Sequence, residues 1–122
     1  MEIRQPILYV DDEEINLYIF DMLLNTSFEV FKAISADVAF EILASHPEIK
    51  LIITDWSMPE MDGLTFARKA STKYQDKKFL MLSAYVKSQE IEEAINEGIL
   101  EDYLSKPLDR EMFLNKVQEI DC

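Results

Sequence analysis

Five short apolar runs punctuate the chain, and an amphipathic stretch follows each of them. Pro6-Ile7-Leu8-Tyr9-Val10 stops at Asp11-Asp12, and Phe28 to Ala33 forms a weaker second run. Leu51-Ile52-Ile53-Thr54 ends at Asp55, Phe79-Leu80-Met81-Leu82 at Ser83, and Asp102-Tyr103-Leu104-Ser105 at Lys106-Pro107. Runs that are apolar on consecutive positions suit strands covered on both faces, as in parallel sheets. Between the runs, Ile15, Ile19, Met22 and Leu23 recur at helical spacing, as do Ala39, Ile42 and Leu43. Leu64, Ala67 and Ala70 follow, then Ile91, Ala94 and Ile95, then Phe113, Val117 and Ile120. Ser35, Ser88 and Asp109 stand where N-caps belong. Gly98 stands just past the fourth helix, where a left-handed residue closes the last turn. Strands alternating with helices of this length predict an α/β fold of right-handed βαβ crossovers. Its sheet is parallel with helices on both faces, and one domain spans residues 1–122.

Composition narrows the picture. A chain of 122 residues, 48% hydrophobic, can fill one core. Only two glycines occur, which argues against glycine-rich phosphate loops. No apolar run approaches the roughly 20 residues of a membrane-spanning helix. The N-terminal Met1-Glu2-Ile3-Arg4-Gln5 lacks the basic and apolar regions of a secretory signal. The one cysteine, Cys122, has no partner within the chain and shows no sign of an activated thiol. A cytoplasmic setting is expected. The formal net charge of −12 repels nucleic acid and anionic lipid, so no direct nucleic-acid or membrane contact is expected.

Ligands of open α/β sheets bind beyond the carboxyl ends of the strands. The polar residues that end the apolar runs fall there: Asp11 and Asp12, Asp55, Ser83 and Lys106. Three carboxylates in one crevice repel one another unless a cation compensates them. Magnesium suits such a site, because it takes one or two carboxylates plus phosphate oxygens. With a dication and the Lys106 ammonium the charges about cancel, and a phosphoryl group becomes acceptable. Asp55 ends the most apolar run and precedes the loop Trp56-Ser57-Met58-Pro59-Glu60-Met61-Asp62-Gly63. It is the candidate nucleophile, since an aspartate carboxylate can form an acyl phosphate and in-line transfer needs mainly positioning and charge neutralisation.

Taken together, these residues resemble the receiver domain of two-component response regulators, over essentially the whole chain. Asp11-Asp12 is similar to the family's acidic pair, Asp55 to its phosphorylation site, Ser83 to its Ser/Thr switch residue and Lys106-Pro107 to its Lys-Pro motif. Tyr103 is similar to the aromatic switch, and Met58 to Gly63 to the loop that follows the phosphorylation site. The resemblance implies a CheY-like, flavodoxin-like (βα)5 doubly wound sheet in strand order 2-1-3-4-5. It implies Mg2+ held by Asp12, Asp55 and the Ser57 backbone carbonyl, with Asp11 acting mostly through water. It also implies a phosphohistidine donor on a histidine kinase or histidine phosphotransfer protein. Ser83 and Tyr103 would then change the surface of the fourth helix, fifth strand and fifth helix, where a downstream protein binds. The domain would catalyse only its own phosphorylation and dephosphorylation, and so is not a conventional enzyme.

Blander readings stand beside these. Asp11-Asp12 could cap the first helix, Lys106 could be a solvated loop lysine, Ser83 a turn residue and Tyr103 a core-covering strand residue. His46 reads as a surface residue at a helix C-terminus, with no carboxylate or serine placed to orient it. Trp56 reads as a surface reporter near the metal, and Ser57 and Tyr85 as flanks of the mouth. The glutamates 90, 92, 93 and 97 read as the solvated face of the fourth helix. Two rival functions are a non-phosphorylated receiver-like binding module and a magnesium-dependent phosphohydrolase. The latter would need a second acid and a cap domain. The chain is read either as a stand-alone receiver or as part of a longer regulator or hybrid kinase.

Overall fold

The computed structural model describes residues 4–84 and 88–120; Tyr85 and Cys122, both considered above, lie outside them. Strands β1 (Gln5–Val10), β2 (Phe28–Ala33), β3 (Leu51–Asp55), β4 (Lys78–Ser83) and β5 (Asp102–Ser105) alternate with five helices. These are α1 (Glu14–Leu24), α2 (Ala36–Ser45), α3 (Gly63–Lys73), α4 (Gln89–Asn96) and α5 (Arg110–Ile120). All strand pairs are parallel, in the order β2-β1-β3-β4-β5. Every apolar run of the sequence is a strand, and this is the flavodoxin-like order.

Side chains alternate across each strand, so the consecutive apolar positions divide between two cores. Leu8, Val10, Ile52, Phe79 and Met81 pack with residues of α2, α3 and α4. Ile7, Tyr9, Leu51, Ile53, Leu80, Leu82 and Leu104 pack with residues of α1 and α5. Three helix starts are capped as their sequence suggests. Ser35 Oγ accepts from the Val38 N–H and Ser88 Oγ from that of Ile91, while Asp109 Oδ1 accepts from Glu111 and Met112. Gly98 sits at φ +83°, the left-handed conformation that glycine adopts without penalty.

Helix α1 departs from the pattern. Its stripe of Ile15, Ile19 and Met22 faces outward, 58%, 45% and 60% exposed, and Leu17, Phe20 and Leu24 face the core. The helix is apolar on nearly all sides, so helical spacing alone offers two faces, and ring packing selects between them. Phe20 lies parallel to Tyr9, with centroids 4.2 Å apart at 14°, and edge-on to Phe113 at 5.8 Å. Phe113 in turn meets Phe28 edge-on at 5.6 Å. This aromatic chain joins β1, α1, α5 and β2.

Phe113 is the joint of that chain and is fully buried. Phe113→Ala should therefore destabilise the fold by about 3–5 kcal/mol, read from the urea midpoint at an unchanged denaturant slope.

Candidate functional site

Strand β1 delivers Asp11 to the carboxyl rim with its side chain fully buried. A buried carboxylate needs donors to replace its lost hydration, and three reach it. The Tyr9 hydroxyl donates to Oδ2 at 2.6 Å, the Lys106 ammonium to the same oxygen at 3.1 Å, and the Glu13 backbone N–H to Oδ1 at 3.0 Å. Helix α1 has Glu13 as its N-cap, with no side-chain cap hydrogen bond. Asp11 and Asp12 thus do not cap it, and Asp11 faces the crevice instead.

The Lys106 amine also lies 3.3 Å from Asp55 Oδ1, which accepts the Trp56 backbone N–H at 2.9 Å. The solvated-loop reading of Lys106 is thereby overturned: the lysine ties the end of β5 to those of β1 and β3. Asp12, half-buried, completes the acidic set, and one oxygen from each of Asp11, Asp12 and Asp55 lies within 4.8 Å of the others.

The electrostatics follow from burial. Burial, reinforced by the Asp11 charge, pushes the Asp55 carboxyl above its ordinary pKa, and Lys106 offsets only part of this. For Lys106, burial acts to lower the ammonium's pKa, yet the attraction of Asp11 and Asp55 wins and raises it. Four charged side chains thus leave an excess of two negative charges in a half-enclosed crevice. Such all-oxygen carboxylate sets suit a hard divalent cation, and the residues present fit one.

The neighbouring groups are positioned by backbone. Ser83 is fully buried at the end of β4, one residue beyond Leu82, the register partner of Asp55. Its carbonyl accepts the Lys106 N–H at 2.8 Å, which fixes where the lysine leaves β5. Tyr103 is half-buried against the core under α2, α3 and α4, opposite Met81 and two positions short of Ser83 on that sheet face. Ser57 is exposed at the mouth. Trp56 is half-buried and packs against the same core as Tyr103. Gly63 closes the β3–α3 loop by donating its N–H to the Trp56 carbonyl at 2.7 Å. A Cβ added there would stand 1.9 Å from the Asp55 carbonyl oxygen, so only glycine permits this approach.

Two features escaped sequence reading. Tyr9 was read only as part of an apolar run, although its hydroxyl, two positions before Asp11 on the same strand face, was the available signal. The view that no carboxylate orients His46 is corrected: Nδ1 lies 3.0 Å from Glu48 Oε2, and the ring packs on Phe31 at 4.5 Å. This pair lies at the opposite rim, where α2 ends and β3 begins, and is partly exposed.

The model of the response regulator receiver domain family matches residues 7–118. The chain belongs to this family. The receiver domain is 30% identical to a chemotaxis protein CheY homolog of Campylobacter jejuni, over 75% of this chain and 72% of that one. Among solved structures, it resembles the signal receiver domain of an HD domain-containing protein from Pseudomonas fluorescens Pf-5, with TM-score 0.86 and 32% identity, covering 96% and 94% of the two chains. It also resembles a chain of the CheX-CheY-BeF3-Mg+2 complex of Borrelia burgdorferi, with TM-score 0.86 and 25% identity, covering 96% and 89%. No helix among the described residues of this receiver domain is long and apolar enough to cross a membrane.

The raised Asp55 pKa has a consequence for stability. Its ionised form costs the metal-free fold stability at every pH above the raised value, and protonation relieves the cost on acidification. Asp55→Asn should therefore stabilise the metal-free receiver domain by about 1 kcal/mol at neutral pH. The gain should shrink as pH falls through the raised carboxyl pKa, as read by urea unfolding in a chelator at several pH values.

Proposed function

We propose that residues 1–122 act as one phospho-acceptor receiver domain of a two-component phosphorelay. In this reading Asp55 receives a phosphoryl group from a phosphohistidine on a histidine kinase or histidine phosphotransfer protein. The observation that carries it is the Lys106 amine held between Asp11 and Asp55, beside Asp12. An amine so placed neutralises part of the acidic set and can bind a phosphoryl oxygen.

Chemically, an Asp55 carboxylate oxygen attacks phosphorus in line, and the P–N bond to the donor imidazole breaks. The imidazole leaves with the bonding pair, and an acyl phosphate remains on Asp55. Mg2+, held by Asp12, Asp55 and the Ser57 carbonyl with Asp11 reaching it through water, would offset the phosphoryl charge. Lys106 binds a phosphoryl oxygen without giving up its proton, since its pKa is raised. The domain turns over no free substrate.

In this reading Ser83 and Tyr103 form the switch. Both lie on the sheet face that α3 and α4 cover, on adjacent strands. A hydrogen bond from the Ser83 hydroxyl to a phosphoryl oxygen draws Ser83 towards Asp55, and the half-buried Tyr103 ring moves into the space left. The surface changed is that of α4, β5 and α5. Glu90, Glu92 and Glu93 are exposed on α4, which suits a downstream protein with a basic contact surface. The acidic chain has no attraction for nucleic acid, and its setting is the cytoplasm.

Intact-mass analysis with acetyl phosphate and Mg2+ tests the chemistry. Native protein should gain one phosphoryl mass, while Asp55→Asn, and native protein in a chelator, should gain none. Labelling that survives Asp55→Asn sinks the assignment.

A further inference from the structure

We propose that Tyr9 is a positioning residue for the cation site: its buried hydroxyl locks the rotation of the Asp11 carboxylate. The inference rests on the reading of Asp11, Asp12 and Asp55 as a divalent-cation site.

Tyr9 lies in β1 with 1% of its surface exposed. Its ring cannot swing, because it is stacked on Phe20, which Phe113 braces edge-on. Positions 9 and 11 share one strand face about 7 Å apart, a span that a phenol ring bridges. Phenylalanine would fill the same ring space, so the hydroxyl is the group that needs explaining. It is out of water and donates to Asp11 Oδ2 at 2.6 Å.

Counting acceptor positions shows what this does. A carboxylate oxygen has about two lone-pair sites. On Oδ2 both are taken, one by Tyr9 and one by Lys106. On Oδ1 the Glu13 N–H takes one. Among the described residues, Asp11 is thus left with one open acceptor direction, on the oxygen that Lys106 does not hold. One fixed direction suits a single contact, such as a metal-bound water, and leaves direct ligation to Asp12 and Asp55. The hydroxyl also shares Oδ2 with Lys106, which keeps Asp11 from holding the amine alone and leaves it within 3.3 Å of Asp55.

Without the hydroxyl, the carboxylate can turn about its terminal torsion and the open direction is lost. Partners that orient metal-site ligands are generally worth 10–100-fold in metal affinity or activity. Tyr9→Phe should therefore raise the Mg2+ concentration for half-saturation by roughly 10-fold, read by Trp56 fluorescence on folded protein. Phosphorylation by acetyl phosphate at saturating Mg2+ should change far less. In an Asp11→Asn background the same substitution should add no further shift, because Tyr9 acts through Asp11. A merely structural role would lower the urea midpoint and leave the Mg2+ curve unmoved.

A second measurement needs no variant. The Tyr9 hydroxyl proton of native protein, shielded from water, should give a slowly exchanging NMR resonance that moves with Mg2+ at the same half-saturation. An unmoved resonance, or a native Mg2+ curve for folded Tyr9→Phe, overturns the inference and leaves the phosphorylation reading intact. A shifted curve in a protein whose native form acetyl phosphate does not label supports Tyr9 and sinks the phosphorylation reading. Native protein that binds no Mg2+ overturns both.

Discussion

The Lys106 ammonium, placed between Asp11 and Asp55, is the contact on which the rest of the rim depends. It joins positions 95 residues apart in sequence, at the ends of the first and last strands, and reaches the end of the third as well. The order β2-β1-β3-β4-β5 brings β1 and β3 together and so forces their terminal acids into proximity. Two buried carboxylates that close oppose each other, and each has also lost water. The lysine limits that cost without removing it, as the raised Asp55 pKa shows. A buried charge cluster of this kind is a poor stability device. Its excess negative charge suits the crevice to a cation, at the expense of the fold.

The two faces of the sheet divide the remaining work. Tyr9 and Phe20 support Asp11 from the side covered by α1 and α5, where a wall of rings resists rearrangement. Ser83 and Tyr103 belong to the side covered by α3 and α4. Tyr103 is only half-buried there and stands near the sheet edge, where a ring can change position at modest cost. A charge change on Asp55 therefore meets a rigid support on one side and a yielding one on the other. In the proposed switch, directionality follows from that inequality in packing, with no separate device needed to transmit it.

Much of this was legible in the chain because parallel strands buried on both faces write themselves as unbroken apolar runs. Each run's terminating residue then fell at the same rim, so Asp11, Asp12, Asp55, Ser83 and Lys106 could be grouped before any coordinates. The outward face of α1 was not legible. Ile15, Ile19 and Met22 satisfy helical spacing as well as Leu17, Phe20 and Leu24 do, and only the stacking of Phe20 on Tyr9 decides between them. Tyr9 was obscured for a related reason. A tyrosine among aliphatic residues counts as apolar in a pattern, while its chemistry here resides in one oxygen atom. The Glu48 partner of His46 lay beyond Pro47, where a local turn rather than any periodicity sets the geometry.

Core and site are continuous at Tyr9, and this shapes how the rim tolerates change. Phe113 sets Phe20, Phe20 sets the Tyr9 ring, and the ring sets the oxygen that meets Asp11. Rings packed at these separations have few alternative arrangements, because interiors are as dense as organic crystals. A carboxylate held by such a chain keeps its orientation even though its neighbours repel it. Gly63 plays the matching part at Asp55, where the loop after the strand seats directly on the Asp55 carbonyl and leaves no room for a side chain. The acids can therefore stay mutually close, at a distance that free side chains would relax away from, because the backbone and rings beneath them cannot follow.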